Sequence, residues 1–312
     1  MNKLILMHSI DVDPGWYRSW FDNVEFFDPL RNYSDRTVFM YDQYLSPFQQ
    51  LIQSQLRTGF RVVIDTKTEY KQPAALLALC AQYPGQCFWI TSGPAAGVRN
   101  TCVPFWFRIQ EQFNMQSNRD YCRDPAVTHQ YLLLMNREDH ARTTLYNKLG
   151  MLNQQPLVSY RAKKQTIAGD CETFDFATQR YNNPKWYNST AFSIVAESRT
   201  DAVFITEKTC KCLIMQHPFL ILAAPFFLQR LRELGFETFP ELWDESYDTV
   251  QSLSHRIDSI YNNVKLFSAG ASLNAVVQQK LEHNKARFWD TESTKVMIQK
   301  YIVEPLWSFI NE

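Results

Sequence analysis

Glycine is scarce, with 9 in 312 residues. That argues against glycine-rich phosphate loops and against low-complexity linkers. Net charge is absent too: 32 Lys plus Arg balance 32 Asp plus Glu. No global field therefore draws the chain to nucleic acid or to a membrane, and a polyanion would have to meet a local groove. No apolar run approaches the ~18 residues of a membrane span, and the short run before His8 in "MNKLILMHS" is too brief for a signal-peptide core. A soluble, cytoplasmic chain is the expectation. Seven Cys, an odd number without a regular framework, fit reduced thiols. The sequons at Asn32 and Asn188 then go unread. There is no G-x-S-x-G, no Walker loop and no zinc spacing, which removes the common hydrolase, NTPase and zinc-enzyme readings.

What the chain does have is a repeated α/β grammar. "KLILMHS" (3–9), "TVFMYDQ" (37–43), "FRVVIDT" (60–66) and "CFWITSG" (87–93) are β-branched and aromatic runs ending in polar residues. Between the second and third lies "SPFQQLIQSQLRTGF", with Ser46 as N-cap, Pro47 at the first helical position and Gly59 as the stop. "QPAALLALCAQYPG" (72–85) repeats the pattern, which predicts a parallel sheet with covering helices. The alternation lapses between Pro104 and Pro125 and restarts with "HQYLLLMNR" (129–137). Strands at 156–161, 189–198 and 218–224 follow, with helices at 138–152, 206–216 and 225–235 and a short strand "FETF" at 236–239. Helices are expected over 246–263, 272–288 and 292–310. The expected organisation is thus two Rossmann-like, doubly wound domains facing a cleft, residues 1–125 and 126–312, the second carrying the helical tail.

Ligands of such sheets lie outside the carboxyl ends of the strands, so polar residues there are the candidates. In "SIVAESRTDAVFITEKTCKCLIMQHPFLIL", Thr206 stands where an N-cap belongs and Glu207 and Lys208 open the helix. Free N–H groups at that start form an anion site, and a lysine there is repelled by the helix dipole unless a negative group lies beside it. A nucleoside diphosphate supplies that charge, with Glu207 or Glu197 accepting from ribose hydroxyls. The alternative is a solvated cluster in which Lys208 pairs with Glu197 or Glu207. In "MNREDHAR", Arg137 and Arg142 flank a strand-to-helix turn suited to diphosphate oxygens; helix-surface pairing of Glu138 with Arg142 is the other account. Trp243, Asp244, Glu245 and Tyr247 either line a sugar or base pocket or, with Asp248, serve helix capping.

Asp11 and Asp13 form a D-x-D, weak as a metal motif here. With Asp42, Asp65 and Glu69 they are carboxylates near strand ends of the first domain and so candidates for a general base. Cys210 and Cys212 point in different directions along a helix and are read as packing. Arg99, Arg108, Arg119 and Arg123 could form a basic patch for nucleic acid, or be solvated surface.

Taken together, "FSIVAESRTDAVFITEK" resembles the donor-binding segment of GT-B glycosyltransferases, especially the alpha-1,3-fucosyltransferase-like group. In that group a strand ending Phe-x-x-x-x-Glu-Asn precedes a Thr-Glu-Lys helix start. Phe192, Glu197 and Thr206-Glu207-Lys208 fit, while Ser198 replaces the Asn. The stretch from His217 to Asp248 and "FMYDQYL" resemble glycosyltransferases inferred from phage and environmental genomes. The resemblance implies a nucleotide-sugar donor in the second domain and an acceptor in the first, with inversion, no obligatory metal and no further cofactor. Glu207 would hold ribose, Lys208 the diphosphate, and Arg137 or Arg142 the leaving-group charge. The expected acceptor is a hydroxyl of a glycan or, for a phage chain, of a hydroxymethylated DNA base. A catalytically inactive protein that binds sugar nucleotide or polyanion is the alternative.

Overall fold

The computed structural model describes residues 3–6, 24–26, 37–42, 49–66, 74–93, 98–103, 112, 115–167, 183–267 and 274–312. They divide into two compact units. The first joins Met1–Trp106 with Thr291–Glu312, and the second is Phe107–Asp290.

Unit 1 is built on six parallel strands: β1 (Lys3–Leu6), β2 (Val24–Phe26), β3 (Thr37–Asp42), β4 (Arg61–Thr66), β5 (Cys87–Thr91) and β6 (Asn100–Cys102), in the order β2-β1-β3-β4-β5-β6. The order reverses between β1 and β3, which makes that gap the sheet's switch point. Asp42 closes β3 there and lies opposite Asp65 of β4 in register. β5 is buried along its whole length and β4 from its second residue on, as expected of parallel strands covered on both faces. Helix α1 (Gln49–Arg57) buries Ile52 and Leu56 against them, and Gly59, at φ 90°, ends it in a conformation open to glycine. Helix α2 (Ala74–Ala81) adds Leu76, Leu79 and Cys80 to the same core. The expected cap Ser46, and with it Asp11, Asp13, Glu69 and Arg108, lie outside the described residues. Strands β2 and β6 had no counterpart in the sequence reading; each is three residues long, too short to show a period.

Unit 2 carries four parallel strands, β7 (His129–Met135), β8 (Leu157–Tyr160), β9 (Thr190–Ala196) and β10 (Phe219–Leu222), in the order β10-β9-β7-β8. Its switch point falls between β7 and β9. Helices α3 (His140–Leu149), α4 (Pro184–Asn188), α5 (Glu207–Ile214), α6 (Phe227–Glu233), α7 (Leu253–Leu266) and α8 (Ala275–Trp289) belong to this unit.

Two expectations are corrected. Of the helical tail expected with the second domain, α7 and α8 stay in unit 2, while the last part packs in unit 1: α9 (Thr291–Ile298), a π-helical turn (Gln299–Val303) and α10 (Glu304–Asn311). Arg61 donates to the terminal carbonyls of Phe309 and Ile310 at 2.6 and 2.8 Å, satisfying acceptors that a helix end leaves orphaned. Phe309 stacks on Phe88 at 5.2 Å, and Thr101 donates to the Tyr301 carbonyl at 2.6 Å. Such contacts between distant segments leave no local trace in sequence. The second correction concerns 236–239, which is not a strand. Asn284 of α8 accepts from the Glu237 N–H at 2.7 Å and donates to its carbonyl at 2.9 Å. One side-chain amide thereby replaces a strand neighbour, while Phe236 and Phe239 remain buried anchors.

Residues 107–125 also side with unit 2. Arg123, expected as surface charge, turns inward and donates to the carbonyls of Tyr187 at 3.2 Å and Thr190 at 2.6 Å. Burial pulls its guanidinium down to about 10. Beside it, His217 is fully buried, with Nδ1 2.7 Å from Ser193 Oγ and Nε2 3.0 Å from the Thr190 carbonyl. Burial and then the Arg123 charge hold this imidazole well below its ordinary value, so it stays neutral. The unfolded chain protonates His217 near pH 6.5 and the folded chain does not. Stability contributed by the neutral ring is therefore complete above that pH and is lost as pH falls below it, by up to about 1.4 kcal/mol per pH unit. Chemical denaturation between pH 8 and 5 should show this slope. His217→Asn should flatten it even though the variant is weaker at pH 8; an unchanged slope would remove His217 as its source.

Candidate functional site

The polar groups singled out in sequence gather at the carboxyl ends of β7 and β9, the two strands that flank the switch point of unit 2. The chain leaves β9 at Ala196 and enters a loop that returns at Thr206, the N-cap of α5. Glu197, only 2% exposed, ties the two ends of this loop. Its carboxylate accepts from the Thr206 N–H at 3.1 Å, the Thr206 hydroxyl at 2.5 Å, the Thr209 hydroxyl at 2.6 Å and the Ser198 N–H at 3.3 Å. A buried carboxylate is tolerable when donors surround it in this way. The geometry of Glu197 is that of loop support: with four donors on its carboxylate it has little accepting capacity left for a ribose.

Thr206 is likewise occupied. While donating to Glu197, its hydroxyl accepts from the Lys208 N–H at 3.4 Å as an N-cap does. Lys208 Nζ donates to Ser198 Oγ at 3.0 Å, Thr206 Oγ1 at 3.2 Å and Glu207 Oε1 at 2.9 Å. Both side chains of the ion pair are about a quarter exposed. Burial pushes the Glu207 carboxyl up, but the neighbouring Lys208 charge and hydrogen bond, with Lys211 beyond, bring it below its usual value. Of the pairings considered for Lys208, the one with Glu207 forms, and it does so at the N-terminus of α5: an ammonium rests on two hydroxyls and a carboxylate.

Across the switch point, Asp139 caps α3 by accepting from the Arg142 N–H at 2.9 Å. The Arg142 guanidinium is largely buried. It pairs with Asp139 at 3.0 Å and donates to the carbonyls of Arg137, Ala196 and Glu197 at 3.3 to 3.4 Å. Arg142 therefore braces the ends of both strands from beneath. The alternative Glu138–Arg142 pair does not form; Glu138 pairs with Lys163 instead. Arg137 sits exposed on the turn above.

In the Trp243–Asp248 cluster, Asp248 serves helix capping, but the capped helix is α6. Asp248 accepts from the N–H groups of Leu228 and Gln229 at 2.8 and 2.9 Å. Trp243 is buried among Phe192, Phe239 and Phe267. The Tyr247 hydroxyl accepts from the Ile221 N–H at 3.2 Å. Cys210 and Cys212 are buried in α5, in keeping with packing. Of the four arginines considered as a basic patch, Arg99 pairs with Glu312 in unit 1 and Arg123 is buried in unit 2. The sequence reading missed Arg256, buried in α7, which donates to the Thr200 carbonyl at 2.8 Å and to those of Val250 and Gln251. It pins the middle of the loop that Glu197 holds at both ends. An arginine within a helical run carries no signal of such a role.

In class, the chain is a mixed α/β protein of two parallel-sheet units, with a polar, cation-bearing loop at the switch point of the second. No protein-family model and no curated protein sequence matches it. Among solved structures it is similar to a crystal structure of alpha1,3-fucosyltransferase, with a TM-score of 0.53 over 100% of this chain and 90% of that one, at 11% identity. At that identity the likeness is one of fold, and the fold is glycosyltransferase-like. Among the described residues, no helix is long and apolar enough to cross a membrane.

Proposed function

We propose that the chain is a glycosyltransferase of GT-B type that moves a sugar from a nucleoside-diphosphate donor to a hydroxyl acceptor. The observation that carries this reading is Lys208. It is a lysine at a capped helix N-terminus, beside the switch point of a parallel sheet, in a chain that aligns end to end with the fold of a fucosyltransferase. Lys208, the first N–H groups of α5 and Arg137 receive the diphosphate, and Glu207 accepts from the ribose. Arg142 adds positive charge beneath the turn, while Glu197 and Thr206 hold the helix start in place.

The reaction is a single displacement with inversion. The acceptor oxygen bonds to the anomeric carbon as the bond to the diphosphate breaks, and the electron pair leaves with the diphosphate. The acceptor proton passes to a carboxylate of unit 1, for which Asp11, Asp13 and Asp42 are the candidates. Asp42 closes the strand beside that unit's switch point. Fixed cations at the leaving group do work that a metal performs elsewhere, so none is required. The acceptor is assigned to glycan hydroxyls rather than DNA, because Arg123 is turned inward onto backbone carbonyls and Arg99 is neutralised by Glu312.

The test is a panel of UDP-, GDP-, ADP- and CDP-sugars with glycan and hydroxymethylated-DNA acceptors, following nucleotide release and the unfolding midpoint. One nucleoside diphosphate is expected to raise the midpoint by linkage, and its sugar to be consumed with a glycan. Binding without release from any donor would favour an inactive binding protein, and indifference to every nucleotide would sink the proposal.

A further inference from the structure

Among the described residues, three other than glycine have a positive φ: Lys164, Gln216 and Phe226. A bulky side chain in that region is strained and persists only where its surroundings impose it. Lys164 lies exposed in a turn. Gln216 is buried, and its side chain accepts from the Arg123 N–H at 3.3 Å. Phe226 has φ 65°. It occupies the N-cap of α6 without any group able to cap, and the residue is 46% exposed. An asparagine or glycine would suit the backbone better.

The surroundings do impose this conformation. The Phe226 N–H donates to the Asp248 carbonyl at 2.6 Å, the Asp248 carboxylate takes the N–H groups of Leu228 and Gln229, and the adjoining Phe227 is buried. Asp248 is in turn only 4% exposed, and the neighbouring Tyr247 is bonded to β10. The clamp therefore holds a large apolar ring out at a chosen place. That place is four residues past the carboxyl end of β10, the strand paired with β9, whose own carboxyl end leads to Glu197 and the Lys208 loop. β10 and β9 are parallel neighbours with Leu222 opposite Ala196, so Phe226 and the Lys208 loop both follow the carboxyl ends of the same strand pair.

We infer that Phe226 is the stacking platform for the nucleobase of the donor; the inference rests on the donor site proposed above. Every base offers a π-face to such a ring, so the contact adds affinity without selecting the base. The clamp at Asp248 fixes the ring before ligand arrives.

Calorimetric titration of the full chain with GDP, UDP, ADP and CDP, and separately with inorganic pyrophosphate, tests this in wild type, Phe226→Gly, Phe226→Tyr and Lys208→Ala. Glycine removes the ring and relieves the backbone, so Phe226→Gly should unfold no earlier than wild type. It should bind the preferred nucleoside diphosphate roughly 10- to 100-fold more weakly and pyrophosphate unchanged, with Phe226→Tyr close to wild type. Wild-type nucleotide affinity in Phe226→Gly, with affinity lost in Lys208→Ala, overturns the stacking role and leaves the donor site standing. A lower unfolding midpoint with nucleotide affinity unchanged overturns it as well, making the ring a packing residue. Wild-type protein that binds no nucleotide and no pyrophosphate overturns both.

Discussion

Lys208→Ala should bind the preferred nucleoside diphosphate roughly 10- to 100-fold more weakly and turn over its sugar on the order of 10²- to 10³-fold more slowly. The first figure follows from losing a charge-assisted hydrogen bond of ~1.5–3 kcal/mol. The second reflects the larger value of a fixed cation where charge develops on the leaving group. Lys208 now rests on Ser198, Thr206 and Glu207, partners that a diphosphate can join or replace without moving the helix. Folding should barely change, since the ion pair is partly exposed and such pairs contribute little. Glu207 provides an independent readout. Lys208 is the main influence holding its carboxyl down against burial, so removing the ammonium should move the Glu207 titration upward and, with it, the acid limb of nucleotide binding. Lys208→Arg keeps the charge and should retain much of the binding. Undiminished affinity and turnover in Lys208→Ala would withdraw the lysine from the donor site.

Much of this site was legible because its signals are local. A strand ending at Ala196, an N-cap at Thr206 and charged residues opening α5 lie within a dozen positions, and each obeys a short-range rule. The longer strands of both sheets, all but β2 and β6, were legible for the same reason, since buried parallel strands read as apolar runs. What could not be read is long-range. Asp248 looked like the first turn of its own helix but caps α6, some twenty residues upstream. Phe236 and Phe239 gave a strand pattern that Asn284 pre-empts from α8. The C-terminal helices joined unit 1 through Arg61 and Phe88, and no periodicity within α10 records which sheet it meets. Phe226 escaped notice because a positive φ at a phenylalanine contradicts propensity; such conflicts between local preference and fold gather at functional sites.

Glu197→Ala should be among the most destabilising substitutions in unit 2, by roughly 3 kcal/mol or more. It strands the Thr206 N–H and the hydroxyls of Thr206 and Thr209 in a buried space, each costing about 1–3 kcal/mol when unmet. The nearly isosteric Glu197→Gln tests the chemistry rather than the volume. All groups facing this carboxylate are presented as donors, with a backbone N–H at each oxygen: Thr206 at Oε1 and Ser198 at Oε2. Whichever way the amide turns, its NH₂ opposes one of them, so Gln should cost about 1–3 kcal/mol despite its fit. Thr209→Val removes a single donor and should cost least, about 1 kcal/mol. The expected order of unfolding midpoints is therefore Thr209→Val above Glu197→Gln above Glu197→Ala, with Ala lower than wild type by roughly 6 °C or more. Glu197 also fixes where α5 begins and hence where Lys208 stands, so Glu197→Gln should weaken nucleoside-diphosphate binding without itself facing the ligand. Amide hydrogen exchange at Ser198–Thr206 should quicken in the same variant. If Glu197→Gln keeps wild-type stability and exchange yet loses nucleotide affinity, the carboxylate is a ligand contact and the supporting role assigned to it is wrong.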